Sequence, residues 1–450
     1  MIHTKVTNRE TKREELTNYK KIVFVLAIAL ILVSLVEFLS FLLIIVGKSA
    51  LEVIRPKNDN ISQLYRLGLP NQYVPLGLQG SRPGPWPILM SSSPAYKEYE
   101  WAEDFWKLEH KRHQSYLYQP SNIFQPNVIW RERPRNEIFV NINEEGIRNT
   151  INPDINFQKD TRTIFLFGGS TMAGTGVPDE FTIPSLLSKY LNKKGDISYN
   201  VTNFGTGSFI LEQDMQLFFD EIRKGHLPDT AVFYHGANDA YAGVYSPGKP
   251  TWYLGSEGLQ DKFYYMKSSI WYKELHTYRL LELIKKRLFR LLNLSTADTT
   301  PTNAKNSEFY LDDYQQKAGH FLEHYQETLR LINNVCNSYG IDTIFIWQPI
   351  LMYGNKRLNE FEESMVNNPA LLSIGTFRTK DGIYQKKALE TTYHLVEKAS
   401  FLEFPNFYNF SHVFDRSGDE PLYIDWVHLG PKGNSIVAQQ INKIICALND

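Results

Sequence analysis

The chain has 450 residues, and its 48 basic and 49 acidic side chains leave a formal net charge of −1. So close a balance gives no global field that would attract nucleic acid, so we expect no nucleic-acid partner. Hydrophobic residues make up 42% of the chain, which is enough for a large core and excludes disorder throughout. Only 2 cysteines are present, which excludes a disulfide-rich scaffold and a four-cysteine zinc site.

A long apolar segment lies near the N-terminus, between Ile22 and Val46, and only three of its side chains are not apolar: Ser34, Glu37 and Ser40. As a helix it would extend about 37 Å, which exceeds the ~30 Å hydrocarbon core of a bilayer. The length favours one tilted transmembrane helix over residues 22–47. A cleaved signal peptide is the alternative, but its apolar region would normally be shorter.

Basic residues flank this segment unevenly, with six before it and four over a similar stretch after it. This bias predicts a cytoplasmic tail at residues 1–21 and places residues 48–450 outside the cytoplasm. The three polar side chains share one broad helical face. They indicate either a contact with another membrane helix or one protonated glutamate tolerated among apolar neighbours.

Residues 48–160 are predicted to form an extended lead-in region with a short helix near 96–113 and short strands. The clearest of these strands runs from Ile138 to Ile142. From Thr163 onward the pattern alternates, with strands near 163–167, 199–203, 230–234, 342–347 and 405–409, and helices near 181–193, 209–224, 311–339, 381–400 and 432–447. This alternation predicts an α/β fold, a flavodoxin-like three-layer sandwich with a parallel sheet, over residues 161–447. Residues 243–310 interrupt the alternation as an insertion.

Residues suited to chemistry follow the ends of these strands. The groups are Gly169–Ser170, the turn at 203–208, Gly236–Asp239 and Asp425–His428. Parallel strands end at the edge of the sheet where open α/β folds bind ligands. A hydroxyl, backbone donors, an amide and an imidazole with a carboxylate are what nucleophilic acyl transfer requires.

This ordered set resembles the SGNH (GDSL-type) hydrolase superfamily, and residues 143–148 and 347–349 resemble its membrane-anchored bacterial members. The resemblance implies that Ser170 is the nucleophile, His428 its base and Asp425 the group that orients the imidazole. The implied oxyanion donors are the backbone N–H of Ser170, that of Gly207 or Ser208, and the Asn238 amide. The implied supporting residues are Gly169, Gly205 and Gly236. Two departures are Gly-Gly-Ser-Thr in the first block and Ser208 where the family usually has its oxyanion glycine.

The resemblance implies a membrane-anchored serine esterase that hydrolyses O-acyl esters, O-acetyl above all, of carbohydrate or related small esters through an acyl-enzyme. It implies no metal or organic cofactor. One alternative is an O-acyltransferase that modifies a cell-envelope polysaccharide beside a membrane acyltransferase partner. A second is a non-catalytic glycan-binding or assembly protein.

Other histidines are interpreted as follows. His320 and His324 match the H-x-x-E-H pattern of inverted zinc proteases, which makes a zinc protease a third alternative function. Residues 110–113 are interpreted as a solvated helix face. His235 is interpreted as a neighbour of the site without a chemical role, and Asp239 as a brace of its loop.

Overall fold

A computed structural model describes residues 19–46 except 22 and 45, residues 72 and 76, and the ranges 85–115, 122–153, 160–193, 197–245, 314–368, 382–398 and 406–449. It also describes residues 276–278, 280, 281, 284, 371 and 404. The chain divides into two compact units. One comprises residues 1–59 and 257–307, and the other comprises residues 60–256 and 308–450. Most of the predicted insertion at 243–310 lies outside the described residues.

A five-stranded parallel sheet forms the centre of the second unit. Its strands are β5 (Thr161–Gly168), β6 (Ser198–Asn203), β7 (Thr230–His235), β8 (Asp342–Trp347) and β9 (Phe407–Asn409). They lie in the order β6-β5-β7-β8-β9. β6 lies on one side of β5 and β7 on the other, so the order in which strands are added changes direction between β5 and β7. In doubly wound folds ligands bind at such a switch point. The predicted α/β fold is therefore confirmed.

Helices cover both faces of the sheet, which explains why β5 is a continuous apolar run. Ile164 and Leu166 pack with helices Ile183–Leu191 and Pro431–Asn449 on one face. The alternate residue Phe167 meets Phe218 of helix Leu211–Arg223 on the other face, with ring centroids 5.5 Å apart. The remaining helices of the core are Ala237–Tyr245, Tyr314–Tyr339, Glu360–Asn367 and Gly382–Lys398.

The lead-in region is more helical than the sequence predicted. It contains helices Pro85–Ser91 and Ala102–Ser115, a 3-10 turn at Pro94–Tyr96, and two hairpins. The first hairpin pairs β1 (Asn122–Gln125) with β2 (Ile129–Glu132), and the second pairs β3 (Arg135–Asn136) with β4 (Asn141–Ile142). The predicted strand from Ile138 was wrong in extent, because Ile138 lies in the connection of the second hairpin and is 83% exposed.

The N-terminal helix Tyr19–Ile44 has 26 residues and a mean hydropathy of 3.0 over its most apolar window, which is long and apolar enough to cross a membrane. None of that window is buried in protein. Its polar face makes a contact within the first unit. The Glu37 carboxylate accepts hydrogen bonds from the backbone N–H groups of His276 and Thr277 and from the Thr277 hydroxyl. The Ser40 hydroxyl donates to the Thr277 hydroxyl at 3.3 Å.

Candidate active site

Ser170 lies at the carboxyl edge of the sheet, one residue after the extended Gly169 that follows β5. It is the first residue of the short helix Ser170–Ala173. A backbone N–H in the first turn of a helix has no partner within that helix, so the Ser170 N–H is available to a ligand. The strand end and the helix start together hold the hydroxyl and this N–H at the switch point between β5 and β7.

The structure brings together three residues that lie far apart in the sequence. Ser170 Oγ lies 2.7 Å from His428 Nε2, and His428 Nδ1 lies 2.7 Å from Asp425 Oδ2. His428 is 5% exposed and Asp425 is fully buried. With its Nδ1–H donated to the carboxylate, the imidazole presents Nε2 as an acceptor for the serine proton. This arrangement can activate a serine hydroxyl as a nucleophile.

Asp425 is held as a carboxylate by the groups around it. Burial raises the pKa of Asp425, but the charge of His428 and hydrogen bonds from the His428 and Val427 backbone outweigh it. The net pKa is below the ordinary value for an aspartate. The two backbone N–H groups donate to Oδ1 at 2.7 and 2.9 Å, which leaves Oδ2 free to accept from His428 Nδ1.

Trp86 also contacts this pair, and the sequence analysis did not identify it. Its Nε1–H donates to Asp425 Oδ2 at 2.8 Å, and its ring centroid lies 5.5 Å from that of His428. Trp86 belongs to helix Pro85–Ser91 in the lead-in region, 339 residues from Asp425. Only the richness of this segment in tryptophan and proline offered a signal, and that signal did not indicate a partner.

The Asn238 amide lies against Gly169, the residue before Ser170, because a glycine there leaves room for it. Asn238 Nδ2 donates one hydrogen to the Phe209 carbonyl at 2.9 Å, which fixes the amide and leaves its second hydrogen free to point elsewhere. A Cβ atom on Gly169 would lie 2.6 Å from that nitrogen. A side chain at position 169 would therefore displace this amide.

The other two glycines predicted to support the site lie against its loops. A Cβ atom on Gly205 would lie 2.3 Å from the Ala173 backbone nitrogen, so the turn after β6 can pack on the short helix only with glycine there. Gly236 has a φ of 143°, and its N–H donates to Asp239 Oδ2 at 3.2 Å. Asp239 Oδ1 also accepts from the Leu211 N–H at 2.8 Å, so this side chain braces the loop as predicted.

Gly207 and Ser208, the two candidate backbone donors, differ in their surroundings. The Gly207 N–H donates to Glu132 Oε1 at 3.0 Å. The Ser208 N–H has no hydrogen-bond partner in the part of the chain that the structure describes, and Ser208 has a φ of 63°. A positive φ is uncommon outside glycine and is found at functional turns.

Beneath these loops lies a buried charged cluster centred on His235. His235 Nε2 lies 2.9 Å from Asp214 Oδ2, and Nδ1 lies 3.4 Å from Asp239 Oδ2. Burial lowers the pKa of His235, but the two carboxylates outweigh it and raise the pKa to about 10. Burial also raises the pKa of Asp214, to about 6. Asp239 accepts two backbone hydrogen bonds in addition to its contact with the imidazole. His235 is thus an ion-paired support of the Asn238 loop.

Two other histidine groups lie outside the hydrogen-bonded triad. His320, 60% exposed, is on helix Tyr314–Tyr339, 3.5 Å from Glu323, and no described group of three or more His, Cys, Asp or Glu could hold a metal ion. The expectation of a solvated face at 110–113 was wrong for His110. That side chain is fully buried, with Nε2 3.0 Å from the Leu76 carbonyl oxygen, and burial lowers its pKa to about 4.

Among solved structures, the chain is similar to a G-D-S-L family lipolytic protein from Desulfitobacterium hafniense DCB-2, with 10% identity over 63% of this chain and 99% of that one and a TM-score of 0.31. It is also similar to the acetyl xylan esterase AlAXEase, with 14% identity, the same two coverages and a TM-score of 0.29. For the acetylxylan esterase Axe2 from Geobacillus stearothermophilus the identity is 12%, the coverages are 63% and 94%, and the TM-score is 0.29. Because these TM-scores are low, the structures carry no weight in assigning the family.

A search of curated protein sequences gave no match. The sequence profile of the GDSL-like lipase/acylhydrolase family, however, matches residues 164–441, which is more than half of the chain. The matched range contains all four blocks that the sequence analysis identified, from Ser170 to His428. The chain therefore belongs to the GDSL-like lipase/acylhydrolase family and is a serine hydrolase that acts on ester bonds.

Proposed function

We propose that the chain is a membrane-anchored esterase that removes O-acyl groups, O-acetyl above all, from carbohydrate through an acyl-enzyme on Ser170. One observation carries the proposed mechanism. Ser170 Oγ, His428 and Asp425 form a continuous hydrogen-bonded chain at the carboxyl edge of the sheet. In this chain the imidazole Nε2 is placed to accept the serine proton, and the imidazolium that forms has a buried carboxylate beside it.

In the proposed reaction, Ser170 Oγ attacks the ester carbonyl carbon while its proton passes to His428 Nε2. The new C–O bond leaves a negative charge on the carbonyl oxygen, which the Ser170 N–H, the second hydrogen of the Asn238 amide and one backbone N–H of the 207–208 turn stabilise. The C–O bond to the leaving alcohol then breaks, and His428 returns the proton to that oxygen. Water repeats the sequence on the acyl-enzyme and releases the acid.

The carbohydrate substrate is proposed from the family resemblance, and the location from the N-terminal segment. Helix Tyr19–Ile44 is long enough to anchor the chain, and the six-to-four bias of basic residues favours a catalytic domain outside the cytoplasm. Protease added to intact spheroplasts should remove the C-terminal domain. Digestion only after lysis would show the opposite orientation.

Esterase activity is tested with the full chain in detergent against p-nitrophenyl esters of increasing acyl length and against acetylated sugars. Ser170→Ala should abolish turnover, whereas Ser338→Ala, which removes an exposed helix hydroxyl that donates to the Asn334 carbonyl, should not. We expect the acetyl esters to react fastest. Turnover that persists in Ser170→Ala would contradict the proposal. If acetyl groups move to an added polysaccharide faster than to water, the protein is the acyltransferase of the alternative.

A further inference from the structure

Hairpin strand β2 lies outside the segment matched by the family profile, yet three successive side chains of it contact the turn after β6. Trp130 Nε1 donates to the Gly207 carbonyl at 3.0 Å, and Glu132 Oε1 accepts from the Gly207 N–H at 3.0 Å. Between them, Arg131 is fully buried and donates to the Phe204 carbonyl at 3.0 Å. Side chains alternate along a strand, so Trp130 and Glu132 reach Gly207 from the same face.

The two bonds to Gly207 fix the direction of the next peptide group. A trans peptide is planar, and its C=O and N–H point in opposite directions. The Gly207 carbonyl and the Ser208 N–H belong to the same peptide. Because Trp130 Nε1 holds that carbonyl on one side, the Ser208 N–H must point to the other side. The positive φ of Ser208, 63°, belongs to the same constrained turn.

Glu132 occupies the Gly207 N–H, the other backbone donor that could serve the oxyanion. An N–H that already donates to a carboxylate at 3.0 Å can reach a second acceptor only by weakening a charge-assisted bond. The Gly207 N–H is therefore occupied, whereas the Ser208 N–H has no partner among the described residues. The neighbouring Phe209 carbonyl is bonded to the Asn238 amide, so the same turn also positions the side-chain donor.

We infer that Trp130 and Glu132 are positioning residues that orient the Gly207–Ser208 peptide and make the Ser208 N–H, not that of Gly207, the backbone donor of the oxyanion hole. This inference rests on the proposed acyl-enzyme mechanism. It makes the lead-in hairpin part of the catalytic apparatus, although neither side chain touches the reacting atoms. An oxyanion hole depends on donors fixed in advance, so a loosened peptide weakens it even though the N–H remains.

The test uses the full chain in detergent with p-nitrophenyl acetate. A fluorophosphonate labels Ser170. The final extent of labelling gives the number of folded sites, and the rate of labelling gives the phosphonylation rate. The variants are Trp130→Phe, Glu132→Met and Glu132→Gln. Trp101→Phe is the matched control, because the Trp101 Nε1 is buried and has no hydrogen-bond partner in the described structure.

Trp130→Phe and Glu132→Met should lower kcat per labelled site about 10- to 100-fold, with KM changed less than about threefold. Phosphonylation should slow in parallel, because its transition state also places charge in the hole. Glu132→Gln keeps an acceptor oxygen and should recover most of the kcat that Glu132→Met loses. If Trp130→Phe does not fold, the two Glu132 variants decide the question.

The outcomes separate this inference from the mechanism on which it rests. Wild-type protein without turnover, or a fully active Ser170→Ala variant, would overturn the proposed function itself. Turnover that depends on Ser170 but is unchanged in Trp130→Phe and Glu132→Met would overturn only the inference. A Glu132→Met variant with a higher kcat than the wild type would show that the freed Gly207 N–H is the donor, and this result would also overturn the inference.

Discussion

The bond from Trp86 to Asp425 gives the sharpest prediction for the triad. Trp86→Phe removes the Nε1–H that donates to Asp425 Oδ2 at 2.8 Å and keeps most of the ring beside His428. Hydrogen bonds to charged groups contribute about 1.5–3 kcal/mol, and Asp425 is fully buried, so water does not readily replace the lost donor. The free energy of unfolding should therefore fall by about that amount.

Loss of the Trp86–Asp425 hydrogen bond should also lower kcat, by less free energy than it lowers stability. Asp425 keeps three of its four donors, which are His428 Nδ1 and the backbone N–H groups of Val427 and His428. Part of the bond energy is common to the ground and transition states, so we expect kcat to fall by up to about tenfold, or ~1.4 kcal/mol. A carboxylate with one donor fewer takes up a proton at higher pH, so the pKa of Asp425 should rise and the acidic limb of the kcat/KM profile should move in the same direction.

The assay measures p-nitrophenyl acetate hydrolysis from pH 5 to 9 together with thermal unfolding, and Trp101→Phe is the control. Trp101→Phe also loses an indole N–H, but one without a partner among the described residues. Equal kcat, equal pH profiles and equal unfolding temperatures in Trp86→Phe and Trp101→Phe would refute the reasoning, because the Asp425 bond would then contribute nothing.

Three further predictions concern the loops around Ser170. Asn238→Ala should lower kcat about 10²–10³-fold with an unchanged circular dichroism spectrum, and a smaller loss than tenfold would remove this amide from the oxyanion hole. Gly169→Ala places a Cβ 2.6 Å from Asn238 Nδ2 and should lower kcat at least about tenfold with little change in KM; wild-type kcat would show that the amide need not approach so closely. His235, with its pKa raised from 6.5 to about 10, stabilises the fold fully below pH 6.5 and loses that effect as the pH rises toward 10. At pH 6 the free energy of unfolding of His235→Gln should therefore be lower than that of the wild type by on the order of 3–5 kcal/mol, and the difference should shrink as the pH rises. If the variant and the wild type have the same free energy of unfolding at every pH, His235 is not an ion-paired support.

The sequence alone determined the sheet and the location of its active edge. The apolar run in β5 indicates a strand that is covered on both faces. The alternation of strands with amphipathic helices along the chain predicts a parallel sheet. Ser170 and Asn238 each follow a strand end within a few residues, so their meeting at one edge follows from local pattern and topology. These are short-range signals, which a single sequence carries well.

Only the tertiary structure decided how the site is completed. Trp86 lies 339 residues from Asp425, and Glu132 lies 75 residues from Gly207, and no local periodicity marks either pair. The choice between the Gly207 and Ser208 N–H groups depends on the direction of one peptide plane, which side chains of a distant hairpin set. The contact of buried His110 with the Leu76 carbonyl, 34 residues away, is likewise a tertiary one. Hydrogen-bond partners that the chain brings together from a distance have no signature in the sequence around either partner, so only the folded structure reveals them.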